Sequence, residues 1–550
     1  MSRRILVTSA LTYANGSLHL GHILEYVQTD IWHRFQKLRG HQSIYVGGED
    51  AHGTAIMLRA EKENISPAAL VTNMHHQHQQ DLRDFFIDYD HYHTTHSPEN
   101  HQLVIDIYEK LQARGDIKVK KIKQAFDTKK QLFLADRFIK GECPRCSTAD
   151  QYGDHCEVCG ATYRPTNLKN PYSVLSGSIP IEKTTEHYFF ALPRYTNFLQ
   201  QWVKTGHLQT EVQHKLDEWF SAGLRDWDIS RDAPYFGFAI PNVPDKYFYV
   251  WLDAPIGYMA SLQHLAAQRD DLHFYEFWQQ RSHIELHHFI GKDIMYFHAL
   301  FWPAILHGAG YRTPTAIHTH GFLTIDGQKM SKSRGTFIKA RTYINHLPAE
   351  YLRYYYASKL SCKLEDIDLH WQDFRLRVNA DLIGKYINIA SRCAGFINKK
   401  FGSQLADTLA ASELHARFRI AGEKIATQYE QGDFNRAMRE IMLLADQANQ
   451  YIAQQQPWIL VKDKTRLDEV QRICTVGINL FYLLTIYLKP VLPQLTAKIE
   501  DFLNIAPLMW KDIEQPLLNH TIKEFKPLLQ RIEAAQITAL QASAKNDIIA

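Results

Sequence analysis

Arg4-Ile5-Leu6-Val7-Thr8-Ser9-Ala10-Leu11-Thr12-Tyr13-Ala14-Asn15-Gly16-Ser17-Leu18-His19-Leu20-Gly21-His22 stands near the start of the chain, and its reading decides the architecture. Residues 4 to 9 are short, apolar and β-leaning, and a glycine-containing loop follows at Tyr13-Ala14-Asn15-Gly16-Ser17. From Gly21 to Leu38 the apolar residues Ile23, Val27, Ile31, Phe35 and Leu38 recur at helical spacing, and Gly40 ends the run. Ser43 to Val46 then reads as another buried strand. Strand, loop, helix, strand is the opening of a parallel α/β unit.

The rest of the chain sets bounds on that opening. Its 550 residues are too many for one ordinary domain and predict roughly three to five structural units. A net charge of +3 says little about partners, because a polyanion needs only a positive contact face. No run reads as long and apolar enough to span a bilayer. Met1-Ser2-Arg3-Arg4-Ile5-Leu6-Val7 is too short for a secretory leader, and Thr8, Ser9 and Thr12 interrupt the apolar stretch behind it. Four of the seven cysteines crowd into one short stretch, which points to a reducing, cytoplasmic setting and a metal rather than spread disulfides.

Residues 116–230 break the α/β rhythm with short strand-like runs such as Ile117 to Ile122, turn residues and the cysteine cluster. The α/β character returns from about Tyr247 to Phe322, where His288-Phe289-Ile290-Gly291 reads as strand into turn. Beyond about Asp373 the chain reads as almost wholly helical. The polar run His75-His76-Gln77-His78-Gln79-Gln80 reads as a solvated helix face. The expected organisation is a split α/β domain with an insert, followed by a helical domain.

His19-Leu20-Gly21-His22 lies at the mouth of the first long helix. Two imidazoles three apart can face one ligand, Gly21 lets a bulky group approach the backbone, and the helix N-terminus favours phosphate. Taken alone, the pair serves equally well to cap and pack a helix. Lys329-Met330-Ser331-Lys332-Ser333, between Asp326-Gly327 and Arg334-Gly335, has the composition of a mobile phosphate-binding loop. Taken alone, it is also an ordinary charged surface loop. No Walker A pattern is present, and Gly308 and Gly310 lack the third glycine of a dinucleotide fingerprint. Cys143-Pro-Arg-Cys146 and Cys156-Glu-Val-Cys159, nine residues apart, can wrap four thiolates around one zinc ion. Four sulfur ligands close the site, which makes it structural. Cys362, Cys393 and Cys474 read as packing residues.

Together the two signature strings resemble the "HIGH" and "KMSKS" motifs of class I aminoacyl-tRNA synthetases, in the same order and separated by an insert. The resemblance implies a Rossmann-like catalytic domain split by a zinc-containing connective insert and followed by an all-α anticodon-binding bundle. The implied boundaries are 1–115 and 231–325 for the catalytic halves, 116–230 for the insert, 326–376 for the KMSKS loop and stem-contact region, and 377–550 for the bundle. An insert of about a hundred residues is too short for the editing domain of the leucine, isoleucine and valine enzymes. A closed zinc site does not suit a cysteine enzyme. Ala10-Leu11-Thr12-Tyr13-Ala14-Asn15-Gly16, Glu49-Asp50-Ala51-His52-Gly53-Thr54, Tyr249-Val250-Trp251-Leu252-Asp253-Ala254-Pro255 and His288-Phe289-Ile290-Gly291-Lys292-Asp293-Ile294 are similar to motifs of the methionyl-tRNA synthetase family. Thr12 departs from that family, which usually has proline there, and so removes one backbone restraint beside the pocket.

The resemblance implies a methionine–tRNA ligase that activates L-methionine with ATP and Mg²⁺, then charges methionine tRNA. His19, His22, Lys329 and Lys332 would be catalytic, and ATP would also meet Gly21, Gly291 and Asp293, the last at the ribose. The methionine pocket would comprise Leu11, Tyr13, Asp50, Trp251, Ala254, Pro255, Tyr258, Ile294, Phe297, His298 and Trp302. Its aromatic walls suit a thioether, and Asp50 would take the ammonium. Arg231 would pair with carboxylate or phosphate. Asn388 and Arg392, one helical turn apart, and Trp458 would read the CAU anticodon, although alone they fit a capped helix beside a core tryptophan. The expected form is a monomer with no membrane partner.

Overall fold

The computed structural model describes all residues except 1, 136–137, 154–155, 157, 162, 164, 331–335 and 550. The opening stretch folds as β1 (Arg4–Ser9), the two-residue strand β2 (Thr12–Tyr13), α1 (Leu20–Leu38) and β3 (Gln42–Asp50). With β4 (His91–Thr94), β5 (Glu285–Gly291) and β6 (Ala316–His320) these strands make a parallel sheet in the order β6-β5-β1-β3, and both β2 and β4 pair with β3. The register Ile5↔Glu285 to Ser9↔Phe289 places β1 directly beside a strand some 280 residues later. The two halves of the α/β domain therefore share one sheet. Ile5, Leu6, Val7, Ile44, Val46 and Ile290 are buried, as expected of parallel strands covered on both faces.

The apolar stripe of α1 accounts for one face only. Its opposite face is buried too, because the C-terminal helices lie on it, and several of the polar residues there are paired. His33 Nδ1 lies 2.8 Å from Ser43 Oγ, and Trp32 Nε1 donates to the Glu430 carbonyl at 3.1 Å. Arg353 is fully buried, donating through Nη2 to Asp30 Oδ2 at 2.6 Å and through Nε to the Val491 carbonyl at 2.9 Å. One guanidinium thus joins α1 to the helical region.

Between the halves, Ile117–Asp127 and Ile181–Phe190 pair antiparallel over their length. A second small sheet, of Ile139–Glu142, Gln151–Tyr152 and Lys169–Ser173, carries the cysteine cluster. After the catalytic half come the helices Asn388–Lys400, Ser412–Glu430, Phe434–Gln455 and Leu467–Leu488. The helical stretch Lys464–Leu488, which contains the last of these, is long and apolar enough, by length and composition, to cross a bilayer, contrary to the expectation from sequence. Here every residue from Ile473 to Leu488 is buried, and the helix is the axis of the bundle. The last helix, Ala534–Ile549, returns to the catalytic side, where Asp547 accepts a hydrogen bond from Thr342.

Two further expectations need correction. The His75–Gln80 run is a solvated face only in part: His76 and Gln80 are exposed, but His78 is fully buried, its Nε2 2.8 Å from the Gly16 carbonyl, and His75 Nδ1 lies 2.8 Å from Glu49 Oε1. The helix Pro67–Asp84 packs against the first loop and uses these imidazoles as polar fasteners. Cys393 and Cys474 are buried as packing residues, but Cys362 is exposed.

Candidate active site

His19 is the N-cap of α1. Its Nδ1 accepts from the backbone N–H groups of Gly21 at 3.1 Å and His22 at 3.3 Å, while His22 Nδ1 accepts from the His19 N–H at 3.2 Å. The two rings stack with centroids 3.6 Å apart. This reciprocal cap satisfies otherwise unpaired donors of the helix start. It also decides the tautomer: an imidazole accepting at Nδ1 carries its proton on Nε2 when neutral. Burial and the neighbouring His19 push His22 well below the usual histidine range, so it is neutral. The capping and ligand-facing readings of this pair are therefore compatible.

The second signature lies against the first. Leu20 N donates to the Ile338 carbonyl at 3.1 Å and Ala340 N to the Leu18 carbonyl at 2.8 Å, tying the segment after the loop to the helix mouth. Met330 reaches over Gly21, where a Cβ would stand 2.5 Å from Met330 Cε. Lys329 and Met330 share a cleft of about 510 Å³ with His19, Gly21, His22, Gly291 and Asp293. Lys332 lies outside the described residues.

Glu25 escaped the sequence reading. It sits one turn beyond Gly21 on the same helix, and that i, i+4 spacing was the available signal. Its Oε2 accepts from the Gly291 N–H at 3.0 Å and lies 3.4 Å from His320 Nε2. Burial raises the Glu25 carboxyl, and Glu25 in turn raises His320 against its own burial. The C-terminal ends of β5 and β6 are thus clamped to α1 around the cleft.

Leu11, Tyr13 and Ile294 line the same cleft. Beside it the helix Val250–Ala266, called α2 here, brings Trp251, Ala254, Pro255 and Tyr258 up to the π-helical turn Phe297–Phe301. Tyr258 Oη lies 2.9 Å from His298 Nε2, and His298 Nδ1 lies 3.1 Å from the Ile294 carbonyl. Burial holds His298 at about 4, so its neutral ring donates at Nδ1 and accepts the Tyr258 hydroxyl. Trp302 is fully buried, donating to His288 Nε2 at 3.2 Å, whereas Trp251 is 47% exposed and stacks on Tyr249. Trp302 therefore sits in the core behind the aromatic group and Trp251 at its rim. Thr12 is buried with its hydroxyl bonded to Tyr26, so a side-chain restraint stands where proline's backbone restraint is absent.

Asp50 pairs in register with Tyr13 at the end of β3. Its Oδ1 is inaccessible to solvent and has no hydrogen-bond partner. Burial, then the nearby Asp253, raises its carboxyl well above the usual range. Asp253 is itself held by His52 Nδ1 at 2.8 Å, with His96 Nδ1 3.0 Å from the far nitrogen of His52. Arg231 stacks over Tyr249 with its guanidinium carbon 3.5 Å from the ring centroid and donates to Asp228 at 3.2 Å.

The four cysteine sulfurs lie within 4.8 Å of one another, with Cys143–Cys159 at 3.7 Å and Cys146–Cys156 at 3.6 Å. A tetrahedron of Zn–S bonds of about 2.3 Å has edges of about 3.8 Å, so the donor set fits. Both knuckles repeat one turn: Cys146 N donates to Cys143 Sγ at 3.4 Å, and Cys159 N to Cys156 Sγ at 3.3 Å.

In the bundle, Asn388 Nδ2 donates to Asn449 Oδ1 at 3.0 Å, and Arg392 Nη1 donates to the Asn449 carbonyl at 3.3 Å. Arg392 also stands 4.8 Å over the ring of Trp458, which is 38% exposed. Asn449, on a different helix, is what joins them, and no local sequence signal marks it.

A family model described as "tRNA synthetases class I (M)" matches residues 5–394, and one described as "Anticodon binding domain of methionyl tRNA ligase" matches residues 403–538. Among solved structures, the fold is similar to a Mycobacterium tuberculosis methionyl-tRNA synthetase in complex with methionyl-adenylate, with 24% identity, TM-score 0.79, and coverage of 96% of this chain and 99% of that one. It is also similar to the apo form of the Mycobacterium tuberculosis enzyme, with 22% identity, TM-score 0.73, and coverage of 97% and 99%. The chain belongs to the methionine-specific class I tRNA synthetases, ligases that activate methionine with ATP and charge it onto tRNA.

Proposed function

We propose that the cleft between α1 and the Lys329–Met330 segment is where methionyl-adenylate forms, with named side chains in distinct roles. The observation that carries this reading is Asp50: a buried carboxylate oxygen without a partner, in register with Tyr13, which lines the cleft. An unpartnered buried acid is costly, and a substrate ammonium supplies the missing partner.

In this reading methionine lies with its ammonium on Asp50 and its thioether among Tyr258, His298, Phe297 and Trp251. Arg231 orients the carboxylate or the phosphate. ATP places its ribose at Asp293 and its phosphates at the α1 N-terminus, where the Nε2–H groups of His19 and His22 donate. A carboxylate oxygen attacks the α-phosphorus and the bond to pyrophosphate breaks. No protein nucleophile takes part, so rate comes from alignment and from cations facing the departing charge. Lys329 and Lys332 supply that charge, and Mg²⁺ enters with the nucleotide as part of the substrate. A ribose hydroxyl at the tRNA 3′ end then attacks the activated carbonyl, and AMP leaves.

Cys143, Cys146, Cys156 and Cys159 hold one zinc ion, which stabilises the insert and leaves the chemistry to the cleft. Asn388, Arg392 and Trp458 read the CAU anticodon, Trp458 by stacking a base and Arg392 by holding that ring in place.

The test is amino-acid-dependent ATP–pyrophosphate exchange across all twenty amino acids without tRNA. Exchange with methionine is the expected result, and exchange with a different amino acid would overturn the pocket assignment.

A further inference from the structure

A second group of metal-binding side chains lies away from the cysteine knuckle. His91 and His93 alternate on the edge strand β4 and so point to one side of the sheet. The C-terminal part of α2 crosses that side and presents His264. One nitrogen from each imidazole falls within 4.8 Å of the others. The rings are stacked on one another, His91 on His264 with centroids 4.8 Å apart and 11° between planes, and His93 on His264 at 4.6 Å and 30°. Glu99, in the first turn of the helix Pro98–Ala113, brings an anion to the cluster. Its Oε1 lies 2.8 Å from His264 Nδ1, and its Oε2 lies 3.4 Å from His93 Nε2.

The arrangement is unfavourable without a ligand. The Nε2 atoms of His91 and His93 and Oε2 of Glu99 are all inaccessible to solvent and without a hydrogen-bond partner. Buried polar atoms are normally satisfied, yet His91 Nε2 faces no partner, and His93 Nε2 and Glu99 Oε2 meet only at 3.4 Å without hydrogen-bond geometry. Three imidazole nitrogens gathered within 4.8 Å of one another are donors of the type a borderline divalent cation takes.

We propose that His91, His93 and His264 bind one divalent transition-metal ion of the zinc type. Three imidazoles and a water make a four-coordinate site with nitrogen-to-nitrogen edges of about 3.4 Å. Small rotations of three partly exposed side chains close the cluster to that size. The carboxylate of Glu99 orients His264 by the hydrogen bond that metal-ligating histidines commonly make. Gln268 Nε2, 2.8 Å from His264 Nε2, is the contact that a metal at that nitrogen replaces. The ion would pin α2, whose first half carries Trp251, Asp253 and Tyr258, to the edge strand of the catalytic sheet.

The full chain, loaded with Zn²⁺ and desalted, is expected to retain two metal ions per chain. His264→Gln and His93→Gln should each retain one. Loading with Co²⁺ distinguishes the sites: the knuckle gives intense thiolate-to-cobalt charge-transfer bands, and the histidine site a weaker spectrum without them. Both variants should keep the thiolate bands, which also reports that they are folded, and lose the second component. A wild-type chain that holds a single ion, or variants that hold as many as the wild type, would overturn the proposal. Should one variant lose the thiolate bands as well, the wild-type stoichiometry and the other variant decide. The readout is metal content, so it is independent of the adenylation reading.

Discussion

Met330 and Gly21 meet across the cleft: a Cβ on Gly21 would stand 2.5 Å from Met330 Cε and 3.0 Å from the His19 ring. The two signature segments, some 300 residues apart in sequence, thus share one surface. Replacement of Gly21 separates folding from function. The Met330 end is flexible and can swing aside, and alanine favours a helix over glycine by up to about 1 kcal/mol. Gly21→Ala is expected to keep or raise the melting temperature while ATP–pyrophosphate exchange falls at least about tenfold, since 1.4 kcal/mol of lost nucleotide contact suffices. Unimpaired exchange would show that nothing approaches this backbone.

Lys332 is assigned by its motif alone. Removal of a preorganised donor of this type costs about 2.7–4 kcal/mol, or roughly 10²–10³ in rate. Lys332→Ala should therefore slow activation by that factor and leave methionine affinity nearly intact, as single-turnover adenylation against methionine titration would show. A loss confined to methionine affinity would remove Lys332 from the catalytic set.

On the proposed assignment of Asp50 to the substrate ammonium, methionine binding is expected to be proton-linked. Its carboxyl is raised by burial and by Asp253, so in the free enzyme it keeps a proton above the ordinary carboxylate range. An arriving ammonium favours the ionised form, so binding must expel that proton. Methionine affinity should weaken as pH falls through the raised value, approaching about tenfold per unit. Calorimetry in buffers of differing ionisation enthalpy should register proton release that grows in the same direction. The same raised value means that Asp50 opposes folding as pH rises from the unfolded carboxyl's range through its own folded value, the reverse of a salt-bridged acid. Pocket strain of this kind is tolerated where a ligand relieves it.

Asp30 behaves in the opposite way. Despite burial, Arg34 and Arg353 hold its carboxyl below the usual range, and its stabilising effect is present above the unfolded value and lost as pH falls through the folded one. Asp30→Asn removes the carboxylate partner of the fully buried Arg353, a change that typically costs about 3–5 kcal/mol. Equilibrium unfolding should show a loss of that size. A loss under about 1 kcal/mol, the scale of an exposed pair, would show that the carbonyls of Val491, Pro490 and Phe85 suffice for Arg353.

Trp458 should separate the two reactions. Stacking of a base on an aromatic side chain is worth about 1–3 kcal/mol, so Trp458→Ala should lower tRNA charging by roughly ten- to a hundredfold and leave exchange without tRNA intact. Arg392→Ala should follow it, because Arg392 stands over the same ring. Equal losses in both assays would make Trp458 a structural residue.

Features that depend on chain neighbours are legible in the order of the residues. The β1–α1 opening, the capping histidines, the paired C-x-x-C turns and each signature string are set by residues within a few positions of one another. Their periodicity and turn chemistry are written locally. Features that join distant residues are settled only by packing. Glu25 meets Gly291, Asn449 joins Asn388 to Arg392, and Arg353 reaches Asp30 only because a parallel sheet interrupted by an insert is closed by helices from the end of the chain. The His75–His78 run shows why polarity misled: a polar side chain is buried when a partner's carbonyl or carboxylate waits for it, and Gly16 and Glu49 come from other elements. His91, His93 and His264 likewise become a cluster only when α2 crosses β4. Burial and hydrogen-bond satisfaction are properties of the packed whole, because each depends on what the fold brings within a few ångströms rather than on which residue comes next.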